Sequence, residues 1–352
     1  MHHDELLYQL ALVALYPYRL RLARQLLSRY GTAREAWEQL DEPGKAAAWQ
    51  RAEQEAEFIQ RHGIQTWFCT DEDYPRRLRQ CADYPIMLFG KGNIRHSEGK
   101  MVSVVGTRRA TERGKELTRR LVLELAQLCP DVTIISGLAY GIDVAAHRAA
   151  LEADLPTIIV PAHGLDRIYP SVHRQVAVEA LQQGGILTEY MSGNEPEKSH
   201  FVARNRIVAG LADAVVVAES RAHGGSLITA NMAIDYNRDL FAFPGRPGDE
   251  EYRGCNDLIR LQKATLIDSA MDLVQAMNWQ PAEPQPANEP TLFDSTDTPI
   301  LALVRSAEDG IPINSIVEET GMDYSEVSAE LVMLELEGKV RALPGGIYRI
   351  LN

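Results

Sequence analysis

The chain has 352 residues, 45% hydrophobic and 24% charged, a composition that fits a globular protein of two or three domains and excludes a wholly disordered or fibrous one. No apolar run is long enough to cross a bilayer, and the start Met1-His2-His3-Asp4-Glu5 has no basic segment ahead of its apolar residues, so neither a membrane span nor a signal peptide is expected. Cys69, Cys81, Cys129 and Cys255 are scattered without a C-x-x-C pair, which argues against a disulfide framework or zinc ribbon and points to the cytoplasm.

The net charge of −13 speaks against nucleic acid until it is mapped. Residues 1–85 carry 11 Lys and Arg against 13 Asp and Glu, residues 86–270 carry 21 against 22, and residues 271–352 carry 4 against 14. The acidity is concentrated in the last quarter, and the near-neutral middle has room for a basic patch on one face.

Residues 1–62 read as an all-α domain. Leu6, Leu7, Leu10, Val13 and Ala14 recur at helical spacing, and Leu20, Ala23, Leu26 and Leu27 resume it after Pro17. Gly31-Thr32 ends that helix and starts another, and a further helix around 53–61 stops at Gly63. Residues 63–278 form the second domain. From Lys100 its pattern alternates: strands at 101–105, 132–135, 157–160, 186–188, 214–217 and 240–242, with helices at 112–128 and 142–152 and one opening at Lys198. Alternating strands and helices predict an α/β fold with a doubly wound, mostly parallel sheet, and continuous apolar strands fit a sheet covered on both faces. Residues 279–297 contain four prolines and no periodicity, the pattern of an extended or flexible linker. Residues 298–352 follow as three helices, at 300–305, 313–320 and 325–337, and a hairpin, the winged-helix layout. Ser325 is the expected N-cap of the third helix, and Gly321 and Gly338 are the stops of the second and third.

In an open α/β sheet, ligands bind where strand carboxyl ends meet helix N-termini. Gly106-Thr107-Arg108-Arg109, Ser136-Gly137-Leu138-Ala139-Tyr140-Gly141-Ile142-Asp143, Pro161-Ala162-His163-Gly164 and Gly224-Gly225-Ser226 all fall there. Several glycine junctions on one sheet edge predict an anion site, to which Arg108 adds a forked cation. The spacing is neither the dinucleotide G-x-G-x-x-G nor the nucleotide-hydrolysing G-x-x-x-x-G-K-[ST]. Asp143 reads as a helix-start residue and His147 as a core or capping histidine. No catalytic cluster or metal-ligand spacing appears, so neither metal nor cofactor is expected. Lys198-Ser199-His200-Phe201-Val202-Ala203-Arg204-Asn205-Arg206 is the most charged constellation. Its two arginines, two apart, face different ways on a helix, so one can hold phosphate while the other makes a structural pair. An aromatic among cations is the arrangement that stacks bases.

In this order, the G-T-R, S-G-L-A-x-G-I-D-x-x-A-H, F-x-x-R-N-R-I-x-A-G-L and G-S-L-I-T-A runs, then Pro244-Gly245 and Gly254-Cys255-Asn256-x-Leu258-Ile259, resemble the DNA-processing protein A (DprA/Smf) family over roughly residues 60–270. The resemblance implies a Rossmann-like binder of single-stranded DNA. It implies that the family protects incoming DNA in natural transformation, loads a RecA-type recombinase and dimerises. The chain ends look like its SAM-like N-terminal and winged-helix C-terminal domains. On matching positions the resemblance implies a DNA site of Gly106, Arg108, Arg109, Ser136, Gly137, Lys198, Phe201, Arg204, Asn205 and Arg206, with no catalysis.

Two stretches depart from the family pattern. After Tyr169-Pro170, His173 and Ser171 stand where asparagine and lysine are common, and Leu15-Tyr16-Pro17-Tyr18-Arg19-Leu20 lacks the glycines of the usual N-terminal hairpin. No DNA contact is therefore expected from the N-terminal domain. The rival readings are a nucleoside-monophosphate phosphoribohydrolase, drawn from a partial loop likeness at His223-Gly224-Gly225-Ser226 with Glu219, and a winged-helix transcription regulator. The charge count disfavours the regulator: the helix at 325–337 has four glutamates and no Lys, Arg, Asn or Gln. With Val327, Leu331 and Leu334 forming one buried face, the tail reads as a protein-interaction or regulatory module.

Overall fold

The computed structural model describes residues 2–17, 19–282, 298–307, 310–336, 339–343 and 345–351. They fall into two compact units, divided between Glu283 and Pro284. Most of the 279–297 stretch, together with Glu337, Gly338 and Pro344, lies outside the described residues. Among the described residues no helix is long and apolar enough to cross a membrane.

The first unit opens with α1 (His2–Leu15), α2 (Leu20–Tyr30), α3 (Ala33–Glu38) and α4 (Lys45–His62). Thr32 caps α3 through a reciprocal box with Glu35, which satisfies the helix-start N–H groups in a tight turn. The apolar faces of α1 and α4, among them Leu10, Leu12, Ala52 and Ile59, join the same hydrophobic core as the sheet that follows. A buried polar tie reinforces that packing. Glu55 on α4, 1% exposed, accepts the Ser192 N–H at 3.0 Å, the Ser192 hydroxyl at 2.5 Å and the Arg51 guanidinium at 2.8 Å. Arg51 in turn donates to the Ser192 carbonyl at 2.6 Å.

Then come β1 (Gln65–Phe68), α5 (Arg76–Arg79), β2 (Met87–Gly92), β3 (Lys100–Gly106), α6 (Glu112–Leu128), β4 (Val132–Ser136), α7 (Ile142–Glu152) and β5 (Thr157–Ile159). The unit continues through α8 (Arg174–Gln183), β6 (Gly185–Thr188), α9 (Lys198–Leu211), β7 (Ala214–Glu219), α10 (Ser226–Asp235), β8 (Asp239–Ala242), α11 (Arg253–Arg260), β9 (Thr265–Leu266) and α12 (Ala270–Ala276). The sheet order is β1-β2-β6-β5-β4-β3-β7-β8-β9. Strands β3 to β9 pair parallel, whereas β2 joins β6, and β1 joins β2, antiparallel. Every residue of the central strands β4 and β7 is buried, as expected for strands covered on both faces.

Sequence reading passes over β1, β2 and the two-residue β9. Strand β2 carries Gly90 and Gly92, a residue type that weakens a strand signal, and all three lie at the sheet's margins. The fold hinges on the β3/β7 junction. The chain runs outward from β3 through β4, β5 and β6, returns across the sheet by α9, and runs the other way through β7, β8 and β9. With right-handed crossovers, this reversal puts the two helix sets on opposite faces and leaves a crevice between the carboxyl ends of β3 and β7.

The second unit has its own core around Ile300, Val304, Ile316, Val327, Leu331 and Val340. Its elements are α13 (Pro299–Ser306), β10 (Ile311–Pro312), α14 (Ile313–Thr320), α15 (Tyr324–Leu336), β11 (Val340–Leu343) and β12 (Ile347–Ile350), with sheet order β10-β12-β11, a winged helix. One detail corrects the sequence expectation. Helix α15 starts at Tyr324, and Asp323 rather than Ser325 is the cap, its carboxylate accepting the Ser325 N–H at 3.4 Å. Asp is as good a cap as Ser, and its position one residue ahead of the helix gives it the geometry.

Replacing Glu55 by Ala removes the acceptor for two Ser192 donors and for Arg51. The expected loss is about 1.5–3 kcal/mol of stability, read as a lower urea midpoint with an unchanged slope.

Candidate nucleic-acid interface

At the β3/β7 crevice lies a cavity of about 300 Å³. Its walls come from three places distant in sequence. Gly106 ends β3 and Thr107 and Arg108 follow it, Gly137 and Ala139 follow β4, and Gly224-Gly225 lead into α10 at Ser226. Helix α9 supplies the remaining side, with Phe201, Arg204, Asn205 and Val208 lining the cavity. Their spacing, i, i+3, i+4 and i+7, is one face of a helix.

Two glycines make the close packing possible. Gly141 sits at φ 80°, a conformation other residues rarely adopt, with its Cα against the backbone of Thr107 and Arg108. At Gly137 the constraint is space: a Cβ would run into the Asp143 carboxylate and the Arg204 guanidinium, which flank it.

Arg108 and Arg109 are exposed, and Lys198 is exposed at the first residue of α9. None of the three makes an ion pair among the described residues. The Arg108 guanidinium lies 5.0 Å from the centre of the Phe201 ring. Arg109 is outside the cavity lining, and its backbone N–H donates to the Thr107 hydroxyl at 3.2 Å. Ser136 is fully buried and its hydroxyl donates to the Val104 carbonyl at 2.6 Å, so its side chain holds the sheet rather than lining the cavity.

The two arginines of the R-N-R run are both buried. Arg204, 4% exposed, donates to the Val160 carbonyl and forms part of the cavity floor. Arg206, 7% exposed, faces away from the cavity and pairs with Glu189. The structure therefore brings Gly106, Arg108, Gly137, Phe201, Arg204 and Asn205 to one cavity, and places Arg109, Ser136, Lys198 and Arg206 outside its lining.

Burial dominates the electrostatics beneath the loops. It pushes the Asp143 carboxyl up, against the pull of Arg204 and of the Ala139 N–H at 3.3 Å. It also raises Glu189, with Arg206 acting the other way. His147 is fully buried, its Nε2 donating to the Gly137 carbonyl at 2.6 Å and its Nδ1 in hydrogen-bond contact with the Thr157 hydroxyl at 2.7 Å, so it is a core histidine that props the site loop. Its pKa is lowered to about 4, chiefly by burial. Glu219 is also fully buried, its carboxylate taken up by the Thr111 N–H at 3.1 Å and hydroxyl at 2.6 Å. It is absent from the cavity lining, which removes the acid that the phosphoribohydrolase reading needs.

The candidate residues chosen from sequence omit the Gly224–Ser226 wall and Thr229, although that glycine junction is visible in the sequence. What links it to Gly106 is the adjacency of β3 and β7, a long-range pairing for which the sequence carries no local signal. The apolar rim residues Val202 and Ile228, both partly exposed, are missed for the same reason.

Fold and site together define a doubly wound α/β protein with an arginine and an aromatic ring poised over a glycine-walled cleft at its topological switch point. Residues 65–278 match the family model for DNA recombination-mediator protein A, and residues 280–346 match the DprA winged helix domain. The chain belongs to the DNA recombination-mediator protein A family. It is 36% identical to Protein Smf of Synechocystis sp. over 315 residues, 79% of this chain and 78% of that protein. It is 40% identical to the DNA processing protein DprA of Streptococcus pneumoniae over 204 residues, 58% of this chain and 71% of that one. The solved structure of DNA processing protein A from S. pneumoniae superposes with TM-score 0.61 at 32% identity, covering 76% of this chain and 92% of the other. DNA processing protein A from Helicobacter pylori, whose structural study concerns its single-stranded DNA binding mode, gives 0.55 at 32% identity, covering 61% and 95%.

Removing Arg206 leaves a buried carboxylate at Glu189 without its partner. Arg206→Ala is expected to cost about 3–5 kcal/mol in chemical denaturation. The histidines give a pH signature. His147 takes up a proton more readily unfolded than folded, so its contribution is complete above pH 6.5 and is lost as pH falls toward about 4. The buried His96, His163 and His173, all lowered by burial, add in the same direction. Unfolding free energies between pH 7.5 and 5 are expected to fall, and His147→Gln to flatten the slope by up to about 1.4 kcal/mol per pH unit.

Proposed function

We propose that this chain binds single-stranded DNA at the β3/β7 crevice and passes it to a RecA-type recombinase, protecting DNA taken up in transformation and acting as a homodimer in the cytoplasm. The observation that carries the reading is the Arg108–Phe201 pair at 5.0 Å. A forked cation stacked on a ring at a cavity mouth offers a strand both a phosphate contact and a base contact. The H. pylori relative, studied for the same binding, supports it.

The proposed contacts divide by exposure. Arg108, Arg109 and Lys198 meet phosphates, and Phe201 meets a base. Gly106 and Gly137 let the strand come close to the backbone, and Asn205 offers its side-chain amide. Arg204 shapes the floor beneath them, and Arg206 and Ser136 hold the framework. We read the protein as non-catalytic, since Glu219 is locked on Thr111. To the C-terminal unit we assign a protein partner rather than duplex DNA, because Glu326 and Glu335 stand on the exposed face of α15 with no cation beside them in that helix.

Salt-dependent binding to a thymidine oligomer tests the site. Arg108→Ala is expected to bind more weakly, with the slope of log K against log salt reduced by about 0.7 and thermal melting unchanged. A variant that melts like the parent and binds with the parent's affinity and slope overturns the assignment.

A further inference from the structure

The rim of the crevice carries more aromatic surface than one base contact requires. Tyr140 is 53% exposed and Tyr169 is 50% exposed, and they stand on the loops that follow β4 and β5 at the same sheet edge as Arg108. About half of each residue is open to water, so packing alone does not account for these large aromatic side chains. Neither tyrosine hydroxyl makes a hydrogen bond among the described residues that would explain its position.

Their placement is built rather than incidental. Tyr140 directly precedes Gly141, whose Cα abuts the Thr107–Arg108 backbone, and the Ile142 N–H bonds the Thr107 carbonyl at 3.3 Å. Tyr140 is therefore held beside the Arg108 loop. The Tyr169 N–H donates to Nε2 of the buried His163 at 3.1 Å, which fixes the other loop. The Tyr169 ring centre is 6.1 Å from Phe201, and Tyr140 meets the buried ring of His173 edge-on at 4.9 Å. Because Tyr169 and His173 share one short segment, the rings follow in sequence: Arg108 over Phe201, Phe201 beside Tyr169, then His173 against Tyr140.

We propose that Tyr140 and Tyr169 form an aromatic shelf on which unpaired bases stack, next to the strand whose phosphate Arg108 holds. This rests on the single-strand reading above and extends it from one base contact to a track. The chemistry recognised is a flat, unstacked nucleobase of any identity, since every base has a π face. Duplex DNA keeps those faces covered by its own stacking. The shelf therefore supplies preference for single strands without sequence preference, which phosphate contacts alone do not give.

The test is a cycle between protein and DNA. Parent, Tyr140→Ala, Tyr169→Ala and the two Tyr→Phe variants are titrated with a thymidine oligomer, with the same oligomer made abasic, and with a duplex, each at several salt concentrations. Each Ala variant is expected to lose roughly fivefold or more in affinity for the thymidine oligomer at an unchanged salt slope. The loss is expected to vanish on the abasic backbone, the Phe variants to bind like the parent, and the preference for single strands over duplex to shrink. Tyr169→Leu fills the space without an aromatic face and replaces Tyr169→Ala if that variant melts early. Affinity equal to the parent's, an equal loss on the abasic backbone, or a reduced salt slope overturns the shelf. Arg108→Ala in the same titrations separates the two readings. If it weakens binding while the tyrosine variants do not, the shelf alone falls, and if it binds like the parent the crevice itself is misassigned.

Discussion

The buried guanidinium of Arg204 is the constraint on which the site's shape depends. It donates to the Val160 carbonyl just past β5 and flanks Gly137 just past β4, from a helix that returns across the sheet between β6 and β7. One side chain thereby ties three crossovers together at the crevice. Burial works against its charge, and Asp143, itself raised by burial, works for it. Two buried opposite charges of this kind, close but without a salt bridge, fix position more than they add stability. Gly137 is what lets both side chains close in on the loop, because any side chain there would occupy the same space.

From this follows a division among the cations. Arg204 and Arg206, two residues apart, point to different faces of α9, yet both are buried, Arg204 against the Val160 carbonyl and Arg206 against the Glu189 carboxylate. Arg108, Arg109 and Lys198 remain outside without ion-pair partners among the described residues. A charge already compensated inside the fold has little left for a phosphate. A charge in solvent can exchange its condensed or hydrating partners for a strand, and that exchange is the source of salt dependence. The net charge of −13 is thus a poor guide to binding. What matters is that the uncompensated cations sit on one sheet edge and that the net negative charge is concentrated after residue 270, where 14 Asp and Glu face only 4 Lys and Arg.

Sequence reading found what is local. The helices at 112–128, 142–152 and 313–320 have the same ends in the structure, because a capping Thr111, the break at Gly141 and the left-handed Gly321 mark their boundaries. The buried face of α15, Val327, Leu331 and Leu334, followed from spacing alone. What escaped depends on long-range pairing or on small geometric choices. Strands β1 and β2 join the sheet antiparallel at its margin, and β1, of four residues, and β2, with two glycines, have no alternation to reveal them. For the R-N-R run, periodicity showed that the arginines diverge. It did not show that both go inward, since that depends on Glu189 and Val160 lying beneath the helix.

The protein partner proposed for the C-terminal unit rests on its charge. In a duplex-reading winged helix, the third helix enters the major groove and needs cations or amides on its exposed face. On α15 that face carries Glu326 and Glu335, with Tyr324, Val332 and Met333 also exposed. Glu335 additionally accepts the Ala342 N–H at 3.0 Å, so its carboxylate is committed to the wing. The wing places Arg341 directly opposite Arg349 across β11 and β12, a like-charge pair that costs stability in a ladder. A sheet that keeps such a pair beside an acidic helix presents two small patches of opposite sign with exposed apolar residues nearby. That pattern is complementary to a protein surface, where charges of both signs set register. It is poorly matched to a DNA duplex, whose backbone offers one sign only.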